Sequence, residues 1–142
     1  MAEQFAENGI RFRYPENWRL EREETESGWT VLLQSPDTAF FLLSLNEDRL
    51  SSEEVTRTAL DALREDYPDL EADECVDSLA GQPAVGYDIR FTSLDLTNTC
   101  WTRGCYCAGG TILVLCQLND LELESNEPVL RAICASLTLE DD

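Results

Sequence analysis

The chain has 142 residues and a formal net charge of −19 at pH 7, with 29 acidic side chains and ten basic ones. All ten basic residues are arginines, and histidine is absent. Histidine and lysine supply most proton shuttles, metal ligands and Schiff bases, so their absence removes many enzyme classes. Nucleic acid and anionic membranes need a basic footprint, so we expect neither as a partner.

The acidity itself has three interpretations. The first is a solvated surface that resists aggregation, and the second is a docking surface for a protein with a basic surface. The third is a salt-rich native environment, because acidic surfaces without lysine are suited to high salt. A protein partner is therefore expected, and a homodimer is an alternative.

Length and composition predict one domain, residues 1–142, because 43% hydrophobic residues over this length build one core. No apolar run reaches the roughly 18 residues that span a bilayer. Residues 1–8 lack a basic segment followed by an apolar one, so we expect no signal peptide and a cytoplasmic location.

Strand patterns fill the first third of the chain. Residues 10–14 alternate apolar and charged side chains, which predicts a half-buried strand. A weaker strand is predicted over 18–22 and another over 29–34. The run 39–45 is continuously apolar, which predicts a central strand covered on both faces.

A helix is predicted over 52–67. Ser51 and Glu54 have the spacing of a capping box, and Tyr67 precedes Pro68, which disfavours helical geometry. The predicted buried stripe consists of residues at helical spacing: Val55, Ala59, Ala62 and Leu63.

The second half predicts further strands and a closing helix: strands 70–79, 84–91, 97–107 and 111–118, and helix 128–137. Gly109 and Gly110 predict a two-residue hairpin loop between the last two strands. That loop sets Arg103 opposite Cys116 on an apolar face. We therefore expect Arg103 to pair with a carboxylate or to lie near an edge.

The order of elements predicts an α/β (α+β) domain with a twisted, mainly antiparallel sheet of about six strands flanked by helices. Three segments resemble PsbP-like and DcrB-like domains: GIRFRYPENW at 9–18, LAGQPA at 79–84 and LRAICASL at 130–137. The resemblance implies a PsbP-like α/β/α sandwich, the fold shared with a Ran-binding nuclear import factor. It also implies a non-catalytic role, because some DcrB-like proteins act as chaperones or adaptors and no catalytic motif carries over.

Six cysteines are expected to be free thiols: Cys75, Cys100, Cys105, Cys107, Cys116 and Cys134. No C-x-x-C pair and no histidine is present, so neither a metal site nor a cofactor is predicted. Arg103 is the local cation beside Cys105, which makes Cys105 and its neighbour Cys107 the candidate nucleophiles. The competing interpretation is that both are small apolar side chains filling a sheet face.

Carboxylates are numerous enough for close pairs to arise by chance. Those in polar segments are expected to titrate normally. Asp88 is the exception, since it alternates within an apolar strand beside Arg90, and a structural ion pair explains it.

Candidate partner-binding residues lie on the predicted strand 97–107: Trp101, Arg103 and Tyr106. Trp101 and Tyr106 fall on opposite faces, so only one is expected to face the main core. The outer face of this hairpin is then the predicted partner site or homodimer contact. The predicted function is a protein-interaction or chaperone-like adaptor. The alternatives are a small thiol- or carboxylate-dependent enzyme and an acidic structural domain.

Overall fold

The computed structural model describes residues 2–140, which form ten strands and two helices. The strands are β1 (Ala2–Glu7), β2 (Ile10–Pro15), β3 (Arg19–Thr25), β4 (Gly28–Gln34), β5 (Phe40–Asn46), β6 (Glu71–Leu79), β7 (Gln82–Ser93), β8 (Leu96–Cys107), β9 (Gly110–Asn119) and β10 (Thr138–Leu139). The helices are α1 (Ser52–Asp66) and α2 (Leu123–Ala135), and a 3-10 turn (Asp120–Glu122) precedes α2. Neither helix is long and apolar enough to cross a bilayer.

Seven strands form one antiparallel sheet in the order β3-β4-β5-β9-β8-β7-β6. A smaller antiparallel sheet has the order β1-β2-β10. The predicted antiparallel sheet flanked by helices is confirmed. The structure has ten strands where the sequence predicts eight segments, because β1 and β10, each with few apolar residues, were not recognised. Both pair with β2 in the small sheet, which the predicted single sheet of about six strands does not include.

The main core lies between one face of the large sheet and a layer made of α2 and the small sheet. Phe12 of β2 packs on Phe41 of β5 with ring centroids 5.1 Å apart. Leu130 and Ile133 of α2 are fully or almost fully buried in the same core. Burying side chains of this size contributes about 1.5–3 kcal/mol each, so this layer supplies much of the stability.

A second, smaller core lies on the other face, where α1 packs on β7, β8 and β9. The Ser51 half of the predicted capping box is confirmed, since the Ser51 hydroxyl accepts from the backbone N–H of Glu54 at 3.1 Å. The buried face of α1 is rotated slightly from the predicted stripe, at whose edge the sequence places Leu60. Ala62 is exposed and Leu63 is half-buried against the second core, whereas Ser52, Thr56 and Leu60 are buried.

Gly104 of β8 explains this rotation of α1. A Cβ at Gly104 would lie 3.0 Å from the Ser52 carbonyl oxygen and 3.1 Å from the Thr56 methyl carbon. The first turns of α1 therefore approach the sheet backbone closely, and only small side chains fit there. Hydrophobic spacing alone carries no information about such a close contact.

The β8–β9 hairpin differs from the predicted register by two residues. The turn is formed by Ala108 and Gly109, and Arg103 lies opposite Val114 instead of Cys116. Gly110 is a strand residue with φ +150°, and a Cβ there would lie 2.1 Å from the Asn46 carbonyl oxygen. Gly110 therefore belongs to β9 and allows its backbone to approach Asn46. Because the register shift is two residues, every side chain stays on its predicted face.

Helix α2 begins five residues earlier than predicted, so Pro128 lies inside the helix and not in its first turn. The start is set by Asn119, whose side chain accepts from the Leu121 N–H at 2.9 Å and begins the 3-10 turn. Helical spacing in this segment predicts a buried stripe of four residues: Leu130, Ile133, Cys134 and Leu137. Three of them are buried, with Leu137 just beyond the helix, and Cys134 is half-buried.

Glu122 joins α2 to the loop between β4 and β5. Its buried carboxylate accepts from the backbone N–H groups of Thr38 and Ala39, from the Thr38 hydroxyl and from the Asn126 amide. Burial alone would raise the pKa of Glu122, but these hydrogen bonds outweigh it and hold the pKa below its ordinary value. Sequence reasoning did not single out this residue.

Glu122→Gln is expected to lower the free energy of unfolding by about 1.5–3 kcal/mol at pH 7, because charge-assisted hydrogen bonds are lost. The depressed pKa of Glu122 makes this contribution complete above the unfolded-state value. It is lost as pH falls through the folded-state value. Urea unfolding from pH 7 to pH 3 measures the difference, which should shrink with pH. Glu124→Gln, at an exposed neighbour, is the control, and a difference independent of pH would contradict the assignment.

Candidate functional site

An apolar surface lies on the α1 side of the large sheet, beyond the area that α1 covers. It consists of Leu32 on β4, Phe40 and Leu42 on β5, and Leu113 on β9, and we call it the open face. All four side chains are half-buried, and none packs in either core. The predicted double coverage of the 39–45 run is therefore wrong. Its opposite face is buried, whereas this one meets solvent.

The strand register explains how the open face forms. Leu32 lies directly opposite Leu42, and Leu42 lies directly opposite Leu115 of β9, which packs beside the second core. Side chains alternate between the two faces of a sheet, so a solvated face is expected to carry polar residues at these positions. Leu32, Leu42 and Leu115 instead make one apolar row across three strands. Polar residues flank this row, since Phe40 lies between Gln34 and Gln117, and Ser44 lies opposite Leu113.

Charged side chains border the open face on one side. Glu21 of the edge strand β3 lies directly opposite Leu32, and Glu23 follows on the same face. Both are exposed. An apolar centre with a charged rim is the usual composition of a protein-binding surface.

The three predicted partner-binding residues separate onto opposite faces. Trp101 is 3% exposed in the main core, with the Arg131 guanidinium 4.0 Å from its ring centroid. Tyr106 is 49% exposed on the α1 side, and its hydroxyl accepts from the Ser52 N–H at 3.0 Å. Of the three, only Tyr106 shares a face with the open face.

Arg103 is 7% exposed and is held by partners within the domain. Its guanidinium donates to Asp88 at 3.0 Å and to the Thr102 carbonyl at 2.8 Å, and its Nε lies 3.5 Å from Asp77. The residue opposite on β7 is Gly86, which has no side chain to obstruct the guanidinium. The expected carboxylate pairing of Arg103 is thus present, and Asp88 pairs with Arg103 where the sequence suggested Arg90.

The thiols differ sharply in environment. Burial raises the pKa of Cys105 to about 12 and that of Cys100 to about 12, so neither forms a thiolate near neutral pH. This environment favours the interpretation of Cys105 as a small apolar side chain. Cys134 of α2, which sequence reasoning placed in a buried stripe, is the thiol whose pKa is lowered, by a hydrogen bond from Cys116 and by Arg131. The spacing of Arg131 and Cys134, one helical turn apart, was the sequence signal for it.

The described part of the chain forms no cluster of metal-ligating side chains. Within residues 2–140 no group of three or more acidic or cysteine side chains is close enough to hold a metal ion. Acidic residues that are adjacent in the sequence lie at exposed positions of α1 and β6: Glu53 and Glu54, Glu65 and Asp66, and Asp73 and Glu74.

No protein-family model matches the sequence, and no curated protein matches it. Among solved structures, the chain is similar to cyanobacterial PsbP (CyanoP) from Synechocystis sp. PCC 6803, at 11% identity and TM-score 0.63 over 98% of this chain and 92% of that chain. It is also similar to LpqN of Mycobacterium tuberculosis, a protein involved in cell envelope biogenesis, at 16% identity and TM-score 0.60 over 98% and 90%.

A third similar structure is PA94 of Pseudomonas aeruginosa, a protein of unknown function described as a putative regulator. The identity is 11% and the TM-score 0.58, over 99% of both chains. At these identities the likeness shows the fold alone. The chain has a PsbP-like fold, as the three sequence segments implied.

Alkylation of the native protein by iodoacetamide at pH 7 should leave Cys100 and Cys105 unmodified, while Cys134 is labelled. A pKa near 12 leaves about a thousandfold less thiolate than an ordinary thiol, and burial excludes the reagent as well. Peptide mass spectrometry over time measures the order. The urea-unfolded chain, in which all six thiols should react alike, is the control. Rapid selective labelling of Cys105 would contradict this account and restore it as a nucleophile.

Proposed function

We propose that this chain is a non-catalytic adaptor domain that binds another protein through the open face. The observation that carries the proposal is the apolar surface formed by Leu32, Phe40, Leu42 and Leu113, where a solvated sheet face would be polar. Leaving such a surface exposed costs free energy and invites aggregation, so a protein that keeps it usually uses it.

The proposed partner is a protein segment with an apolar centre and basic flanks. The apolar part of the partner would cover the leucines of the open face. Its basic flanks would meet Glu21, Glu23 and the field of a chain with net charge −19. Electrostatic attraction of this kind raises the association rate and selects partners, while apolar burial supplies most of the affinity.

Two further observations support a binding role over catalysis. The candidate nucleophile Cys105 is buried with a raised pKa, and the buried cation Arg103 is engaged by Asp88 and Asp77. None of the three similar structures is described as an enzyme. The fold neighbours are thus consistent with an adaptor-like domain, and the identity of the partner is the part that we propose.

Tyr106 is also part of the proposed binding surface. It lies at the end of β8 on the same face as Leu113 of the neighbouring strand, and half of its surface is exposed. Its hydroxyl is fixed by the amino-terminal end of α1, which leaves the ring edge for contact. The predicted outer face of the β8–β9 hairpin is therefore continuous with the open face.

Leu42→Gln should abolish capture of the specific partner, while Leu94→Gln should not. Leu94 is a matched control because it is an apolar side chain, 93% exposed, in the turn between β7 and β8 and away from the open face. Because Leu42 is half-buried, we expect its substitution to lower stability by about 1 kcal/mol. The measurement is a pull-down from native lysate at about 0.05 M and 1 M salt, with mass spectrometry of the bound proteins.

The outcomes separate the competing functions. Loss of one bound protein with Leu42→Gln, together with its release by salt, supports the acidic adaptor. Equal behaviour of both variants contradicts the open face as the binding surface and favours an acidic structural domain. A bound protein that is a second copy of this chain assigns the open face to a homodimer, and light scattering of each variant measures that mass directly.

A further inference from the structure

Two thiols meet where α2 packs on the large sheet. The sulfurs of Cys116 on β9 and Cys134 in the last turn of α2 are 3.7 Å apart. A disulfide bond is about 2.0 Å long, so the two sulfurs need to approach by less than 2 Å to bond. Such a change is within the reach of side-chain rotation and a small shift of the helix end.

The chain places these cysteines by two separate patterns. On β9, Ile112, Val114 and Cys116 alternate onto the main-core face, and Cys116 is fully buried there. On α2, Cys134 follows the buried Ile133 and lies at the margin of the helix face that meets the sheet, half-buried. The pair therefore joins the two layers of the main core.

The two thiols differ in pKa because their surroundings differ. Cys134 receives a hydrogen bond from Cys116 and lies near the Arg131 guanidinium and the Trp101 indole, and these lower its pKa. Burial raises the pKa of Cys116 well above its ordinary value. Cys134 is thus the thiol that ionises and attacks, and Cys116 is placed to resolve the product.

A small oxidant has a route to Cys134. The residue lines a surface pocket of about 570 Å³ together with Ala80, Gly81, Ala135 and Leu139. Hydrogen peroxide is hardly larger than a water molecule and enters a pocket of this size. Cys116 is closed off from solvent, so reagents reach the pair from the Cys134 side.

We propose that Cys116 and Cys134 form an oxidisable dithiol site that takes a peroxide and closes to an intramolecular disulfide between β9 and α2. The Cys134 thiolate attacks one peroxide oxygen, the O–O bond breaks, and the leaving hydroxide takes up a proton to become water. Cys134 is then a sulfenic acid. The Cys116 thiol attacks its sulfur, the S–O bond breaks, and a second water leaves with the Cys116 proton.

The net reaction oxidises two thiols to one disulfide and reduces one hydrogen peroxide to two waters. A thiol reductant reverses it by exchange. The disulfide fixes the end of α2 to the middle of the large sheet. It therefore constrains the unfolded chain and slows separation of the two layers.

The test treats the full chain with hydrogen peroxide at pH 7 and maps the products by non-reducing digestion and tandem mass spectrometry. The chain contains no lysine, so trypsin cuts after arginines and places Cys134 in the peptide 132–142. The expected product links this peptide to Cys116, with loss of two free thiols and no gain in oligomer size. The melting temperature should rise by about 5–10 °C on oxidation and return with a reductant.

Variants separate this site from general thiol oxidation. Cys134→Ala should abolish the link, while Cys75→Ala, at another half-buried thiol, should leave it unchanged. Arg131→Gln should slow the oxidation at pH 7 about three- to tenfold, and Arg64→Gln on α1 is the matched control. A link to another cysteine, oxygen addition at Cys134 without a link, or a lower melting temperature after oxidation would overturn the proposal. The wild-type map decides the matter even if a variant fails to fold.

Discussion

The large sheet presents apolar side chains on both faces, but the chain covers the two faces unequally. One face is buried along its centre by α2 and the small sheet. On the other, α1 reaches β7, β8 and β9, and the apolar side chains of β4 and β5 remain half-buried. The main core, the second core and the open face are all consequences of this unequal coverage.

Strand β8 ties the two covered areas together. Trp101 lies in the main core and its neighbour Cys100 lies in the second core, since consecutive strand residues point to opposite faces. Glycines at crowded points make this possible. Gly104 admits α1 to the sheet, and a Cβ at Gly86 would lie 1.8 Å from the Thr102 carbonyl oxygen of the neighbouring strand.

Much of this architecture follows from local patterns in the sequence. Alternation over residues 10–14 predicted β2, whose Ile10 and Phe12 are buried, and Ser51 marked the start of α1. Strand β1 was missed because Phe5 is the one buried residue of a short acidic segment. The start of α2 was missed because Pro128 was read as a first-turn proline, while Asn119 sets the actual start.

The candidate site was the hardest part to predict. A continuous apolar run indicates burial but does not tell which neighbour covers each face, and so the open side of β5 was not foreseen. The pairing of Cys116 with Cys134 needs the packing of α2 on β9, which no local pattern contains. By contrast, the need of Arg103 for a carboxylate follows from its place in an apolar strand, and that expectation agrees with its contact to Asp88.

Site-specific photo-cross-linking can show whether the open face contacts a partner protein. A benzophenone amino acid is placed at position 42 in one protein and at position 94 in another, and both are irradiated in native lysate. We expect a discrete covalent product with a second protein at position 42 and none at position 94. No product at position 42, or the same products at both positions, would contradict it.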